Sequence, residues 1–143
     1  MIFSFGQSEK ERLAVDVVGY ERAPVGEYFD DNWLIIEIRV QAGNFQCKTK
    51  AAILTDELIK FSSELRVLFE TLKGSAAFTT LEEQLSLQLT GDGKGHIELC
   101  GEVEAGHRLI FTLQFDQSQL GRSIHEIEKV LSQFPIRSSK ATE

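Results

Sequence analysis

The chain has 143 residues, the size of one ordinary domain and enough to bury a single apolar core. Its composition, 42% hydrophobic and 26% charged, is typical of a globular protein. The formal net charge is −7, and acidic residues outnumber basic ones in both halves of the sequence. No basic stretch is present, so we expect no direct binding to nucleic acid. The acidic balance instead favours a basic partner.

The sequence indicates a cytoplasmic location. Residues 1–6 lack the basic start and the long apolar run of a signal peptide. No stretch approaches the roughly 20 apolar residues of a membrane span, so we expect no membrane partner. Cys47 and Cys100 do not form a close-spaced disulfide framework, which agrees with a reducing compartment.

The first half of the chain alternates as sheet and then changes to a helical period. Apolar and polar residues alternate around residues 13–17 and again over 33–40, and turn residues fill 21–31 between them. A returning strand is predicted near residues 45–50. A helix is predicted over 55–73, with Thr55 as its cap. Its apolar stripe consists of Leu58, Phe61, Leu65, Leu68 and Leu72.

The second half returns to sheet and ends in a second helix. A short strand is predicted over 76–80, where a capping-box pattern at Thr80–Glu83 also allows a brief helical turn. Three alternating strands follow and are predicted to form a meander. They centre on residues 85–89, 97–103 and 109–115. A helix over 117–134 then ends at Pro135.

This order of elements predicts an α+β domain. A parallel sheet would need a helix between nearly every pair of strands, and the sequence does not have them. We expect a mostly antiparallel, curved sheet of about six to eight strands with the two helices packed on it. Residues 1–135 are predicted to form a single domain, and residues 136–143 a flexible tail. An exposed sheet edge allows a weak homodimer as the alternative to a monomer.

The glycine-rich segment Gly91–Gly95 resembles a phosphate loop only in composition. A phosphate loop needs Ser or Thr after the lysine and then a helix, but Lys94 is followed by Gly95 and a strand pattern. Glycines suit a tight hairpin turn, which is the favoured interpretation. The three histidines, His96, His107 and His125, lack the spacing of a metal site. We therefore expect neither a metal nor a cofactor.

No catalytic motif stands out. The sequence has no nucleophile elbow, and both cysteines lie within strand patterns. A hydrolase that pairs His96 or His107 with a carboxylate stays open as the least favoured hypothesis. A domain that binds a small molecule on a concave sheet face is the second hypothesis. A protein-binding module is favoured over both.

Several segments together resemble the WapI family of bacterial immunity proteins over roughly residues 15–135. The segments are Tyr20–Arg22, Tyr28–Ile35, Leu54–Leu58, Leu72–Gly74, Leu81–Ser86, Leu89–Glu98 and Phe115–Leu120. This resemblance implies a small cytoplasmic antitoxin that protects a bacterium from a polymorphic toxin. It also implies action by occlusion, without catalytic residues. The resemblance also implies a class of target, because the namesake of the family binds a toxin domain that is a nuclease acting on transfer RNA. The acidic balance of this chain suits a basic nuclease as its target.

Charge and loop position suggest which residues contact that toxin. The family motifs lie at turns and strand starts, where backbone geometry restricts the residue type, so exposed residues between them are better candidates for partner choice. The candidates are Glu27, Asp30, Asp31, Glu82, Glu83, Glu102 and Glu104.

Overall fold

The computed structural model describes residues 1–137. Within this range the chain forms eight strands and three helices. In chain order they are β1 (Ile2–Ser8), β2 (Glu11–Tyr20), α1 (Tyr28–Asp31), β3 (Trp33–Ala42), β4 (Phe45–Leu54), α2 (Thr55–Thr71), β5 (Lys73–Thr79), β6 (Leu85–Asp92), β7 (His96–Glu104), β8 (Arg108–Asp116) and α3 (Gln117–Gln133). None of the helices in the described range is long and apolar enough to cross a bilayer.

The strands form two antiparallel meanders of four strands each. Sheet 1 has the order β1-β2-β3-β4 and sheet 2 the order β5-β6-β7-β8. Each sheet continues directly into a helix, because α2 begins at the residue after β4 and α3 at the residue after β8. The chain therefore contains two successive units, each with four strands and then one long helix.

Residue alternation decides which face each sheet buries. In β3, Leu34, Ile36 and Ile38 are fully buried, whereas Glu37 and Arg39 lie on the opposite face. The predicted apolar stripe of α2 is buried as well. A single continuous core contains side chains from both sheets and both long helices.

Four phenylalanine rings connect the two sheets through α2. The Phe5 ring of β1 lies 6.0 Å from that of Phe61 in α2 and 6.1 Å from that of Phe115 in β8. The Phe61 ring lies 5.0 Å from that of Phe78 in β5. Aromatic pairs at these separations contribute about 0.5–1.5 kcal/mol beyond simple burial. This cluster therefore helps to fix the position of each sheet relative to the other.

Each long helix also hydrogen-bonds to the first strand of one sheet, α3 to β1 and α2 to β5. The Glu126 carboxylate in α3 accepts the backbone N–H of Ser4 at 2.9 Å, and the Ser123 hydroxyl donates to the Ser4 carbonyl. The Glu64 carboxylate in α2 accepts the backbone N–H of Ala77 at 2.9 Å. Glu64 and Glu126 each occupy the tenth position of their helix. The two units therefore protect an edge strand in the same way.

The predicted α+β class is confirmed, and so are the two long helices. They end at Thr71 and Gln133, slightly before the predicted ends. The predicted single sheet of six to eight strands is only roughly matched, since the eight strands are divided between two sheets. The division falls at α2, which leads from the last strand of sheet 1 to the first strand of sheet 2.

Other local predictions differ from the structure. β1 and α1 were not predicted. Thr55 is the first residue of α2 rather than its cap, and the Glu57 side chain accepts the Leu54 N–H at 2.8 Å. Thr80–Glu83 forms a turn closed by a hydrogen bond from the Glu83 N–H to the Thr80 carbonyl. The residues Thr80–Glu83 thus form a hydrogen-bonded turn instead of starting a helix.

The predicted tail begins at residue 136, but Arg137 is docked. Its backbone N–H donates to the Asn32 side-chain oxygen at 2.7 Å, and the Asn32 side-chain amide donates back to its carbonyl at 2.8 Å. Residues 138–143 lie outside the described residues. The limits of the domain stay a prediction.

We predict that Gly91→Ala destabilises the fold by about 1–3 kcal/mol. A Cβ at Gly91 would lie 2.4 Å from the Leu72 carbonyl oxygen, which is held by a 2.7 Å hydrogen bond from the Gly93 N–H. Gly19→Ala is the control, because a Cβ there meets no atom within 4 Å. Urea unfolding of both variants measures the difference. An equal loss in both would contradict the steric explanation.

Candidate functional site

The Gly91–Gly95 segment is a structural turn. The Asp92 carboxylate accepts the backbone N–H groups of Lys94 at 2.7 Å and His96 at 3.1 Å. These hydrogen bonds, with that of Lys94 first, lower the pKa of the Asp92 carboxyl. The Gly93 N–H donates to the carbonyl of Leu72, the left-handed residue that ends α2. The hairpin prediction is therefore confirmed, and the turn also caps a helix.

The histidines do not form a catalytic or metal-binding group. The His96 ring lies 2.7 Å from the side-chain oxygen of Gln114, an amide rather than a carboxylate. His107 lies in the turn before β8, and His125 is exposed on α3. In residues 1–137 no group of three or more His, Cys, Asp or Glu side chains is arranged to hold a metal ion. Among residues 1–137 no histidine ring forms a hydrogen bond or ion pair with a carboxylate, although the charge of His96 contributes, after the backbone hydrogen bonds, to the lowered pKa of the Asp92 carboxyl.

A groove of about 490 Å³ lies on the outer face of sheet 1. Charged side chains line much of it, including Arg12, Glu37, Arg39 and Lys48. Glu37 pairs with Arg39 at 2.6 Å, so part of this charge is already compensated. The groove is thus unlike the mostly apolar pocket that the small-molecule hypothesis requires.

The structure brings the predicted acidic residues to the ends of both sheets nearest the start of α2. Glu27 and Asp30 belong to the segment between β2 and β3, and Tyr28 in that segment donates a 2.8 Å hydrogen bond to Asp56 at the start of α2. Glu82 lies in the turn between β5 and β6. It raises the pKa of the Glu57 carboxyl, although burial of Glu57 is the larger cause. The start of α2 therefore lies between these two segments.

The remaining candidates extend this group along sheet 2. Glu83 is exposed beside Glu82 in the same turn. The Glu104 N–H donates to the Gln84 carbonyl at 3.0 Å, which places the β7–β8 turn next to the β5–β6 turn. Arg108 contacts Glu102 at 3.0 Å and Glu104 at 3.6 Å.

Asp31 differs from the other six candidates. Only 1% of its surface is exposed, so it was wrong to group it with exposed residues. Its carboxylate accepts the N–H groups of Val25 at 2.8 Å and Gly26 at 2.9 Å. The hydrogen bond from Val25 is the largest cause of the lowered pKa of this carboxyl. Asp31 therefore holds the shape of the loop.

Folding concentrates the negative charge that is dispersed in the sequence. Four segments lie together at this end of the molecule: residues 21–32, 54–57, 80–84 and 102–108. They contain ten carboxylates and two arginines, and Arg137 is docked on residues 22–32, so this end has a formal charge of −7, equal to that of the whole chain. The rest of the protein is therefore close to neutral. We call these four segments the acidic end.

The comparison with protein families identifies the family of this chain. Residues 3–135 match the immunity protein WapI-like family. The match covers nearly the whole chain, and the protein belongs to this family of bacterial immunity proteins. No curated protein matches the sequence.

One solved structure shows the same kind of fold. It is a chain from the crystal structures of Trypanosoma bruciei MRP1/MRP2, with a TM-score of 0.51 and 12% sequence identity. The similarity covers 92% of this chain and 84% of that chain. At this identity the comparison supports the fold alone.

We predict that the stability contributed by Asp31 depends on pH. Because the folded pKa lies below the ordinary value of 3.8, this contribution is present above pH 3.8 and is lost as the pH falls through the folded pKa. Asp31→Asn should therefore be less stable than the natural chain at pH 7, and the difference should shrink at acidic pH. Urea unfolding at several pH values provides the measurement.

Asp30→Asn is the matched control for that experiment. Asp30 is exposed and pairs with Arg22 at 2.8 Å, and exposed pairs of this kind contribute at most about 1 kcal/mol. A loss of stability in Asp31→Asn that does not vary with pH would contradict the assigned role.

Proposed function

We propose that this protein binds the toxin domain encoded beside it and blocks that domain stoichiometrically, without catalysis. Membership of the immunity family supports the antitoxin role. The observation that carries the mode of action is the acidic end, where a formal charge of −7 is gathered on neighbouring segments with Arg137 included. A surface of one sign attracts and orients a partner of the opposite sign. The proposed partner is therefore a basic domain.

A nuclease is the toxin class that best fits this charge. An enzyme that cleaves nucleic acid needs cationic side chains along the phosphate backbone of its substrate. A protein that covers those side chains with carboxylates competes directly with the substrate. Occlusion of this kind needs no active-site residue on the immunity protein. It would take place in the cytoplasm of the cell that makes both proteins.

The test is a titration of the purified toxin domain with this protein. We expect toxin activity to fall linearly and to reach zero near one equivalent, because each inhibitor molecule occupies one toxin molecule. Co-expression should also rescue cells from the toxin domain. An antitoxin that acted as an enzyme would instead protect at far below one equivalent. Absence of both binding and rescue would contradict the proposed function.

A further inference from the structure

The loop between β2 and β3, residues 21–32, exposes apolar side chains at the acidic end. All residues from 21 to 30 are exposed. Phe29 has 63% of its surface exposed and Val25 has 62%. Exposed apolar side chains that share one surface segment often mark a binding surface, and these two lie four residues apart in the same loop. The loop thus offers a feature that the charge alone does not provide.

The loop is held in place although it buries little of its own surface. Its internal connection is Asp31, whose carboxylate accepts the N–H groups of Val25 and Gly26, and whose own N–H donates to the Glu27 carbonyl at 2.8 Å. A short helical turn, α1, forms as a result. These hydrogen bonds restrict the backbone on both sides of Phe29.

A second connection comes from the end of the described chain. The Arg137 guanidinium donates to the Asp31 carbonyl at 2.8 Å and to the Arg22 carbonyl at 2.8 Å. It also lies 3.7 Å from the centre of the Tyr20 ring. Together with the paired hydrogen bonds between Arg137 and Asn32, these contacts fix both ends of the loop to the body of the protein.

The neighbour of Phe29 is fixed as well. The Tyr28 hydroxyl donates to Asp56 at 2.8 Å, which ties the ring to the start of α2. The Phe29 ring packs edge-on against it at 5.7 Å. Phe29 is therefore held by its neighbours but largely uncovered. A rigid, exposed aromatic side chain loses little conformational entropy on binding, which is the property of an interface hot spot.

The surroundings of Phe29 define the chemistry of its partner. Glu27 and Asp30 flank it in sequence, and the carboxylate of Asp56 lies beside Tyr28. A complementary surface would contain an apolar pocket and a rim of lysine or arginine side chains. Interfaces commonly combine an apolar centre with a polar rim in this way.

We infer that Phe29 is the apolar anchor of the toxin interface and inserts into an apolar pocket surrounded by basic residues on the toxin domain. This inference rests on the proposed function. It assigns the centre of the interface to the β2–β3 loop, and it assigns the surrounding carboxylates to the rim.

Phe45 provides a matched control. It is 69% exposed, close to the exposure of Phe29, and it lies at the β3–β4 turn, at the end of β3 away from residues 21–32. Phe45 borders Ala105 and Arg108 of the β7–β8 turn, so this control separates the β2–β3 loop from the far edge of the acidic end. Each phenylalanine can be changed to alanine with little expected effect on folding, because neither is buried. Circular dichroism and thermal unfolding check that both variants remain folded.

The test measures binding of a catalytically inactive form of the toxin domain encoded beside this protein. Phe29→Ala should weaken binding by at least about 100-fold, the usual effect of removing a hot-spot aromatic residue. Phe45→Ala should stay within about threefold of the natural chain. If folded Phe29→Ala binds as tightly as the natural chain, the inference is wrong while the proposed function stands. If the natural chain itself does not bind, the proposed function is wrong too.

Self-association is the competing use of the same surface. Analytical ultracentrifugation of the natural chain and of Phe29→Ala tests it. A dimer that Phe29→Ala abolishes without weakening toxin binding would overturn the inference. A natural chain that stays monomeric, together with the loss of toxin binding in Phe29→Ala, supports it.

Discussion

The contact of Phe61 with both sheets is the interaction on which the architecture depends. The Phe61 ring in α2 contacts Phe5 of sheet 1 and Phe78 of sheet 2, and Phe5 also contacts Phe115 of sheet 2. Because α2 joins the two sheets in the chain and in space, its position also decides where their ends lie. An ion pair between Arg66 of α2 and Glu128 of α3 also joins the two long helices. Each of these residues is the twelfth of its helix.

The acidic end follows from that arrangement. The start of α2 comes directly after β4, so the end of sheet 1 and the first carboxylates of the helix coincide. Burial raises the pKa of Glu57 at this point, and nearby Glu82 adds to the effect. Such repulsion weakens folding slightly but gives the protein a strong local field for a basic partner.

Patterns within single elements were predictable from the sequence, and relations between elements were not. The stripe from Leu58 to Leu72 predicted α2, and glycine spacing predicted the Gly91–Gly95 turn, because both depend on local backbone geometry. The division into two sheets was missed, since alternation within a strand does not identify the neighbouring sheet. The burial of Asp31 was missed for a related reason. Its hydrogen-bond donors and the Arg137 contact exist only in the folded loop.

The most direct test of this account is hydrogen–deuterium exchange of the protein with and without its toxin domain. We expect slower exchange on complex formation in residues 21–32, 54–57, 80–84 and 102–108, because these segments form the acidic end. The central residues of β2 and β3 should exchange at unchanged rates. Protection confined to β2 and β3, with residues 21–32 unaffected, would contradict the account.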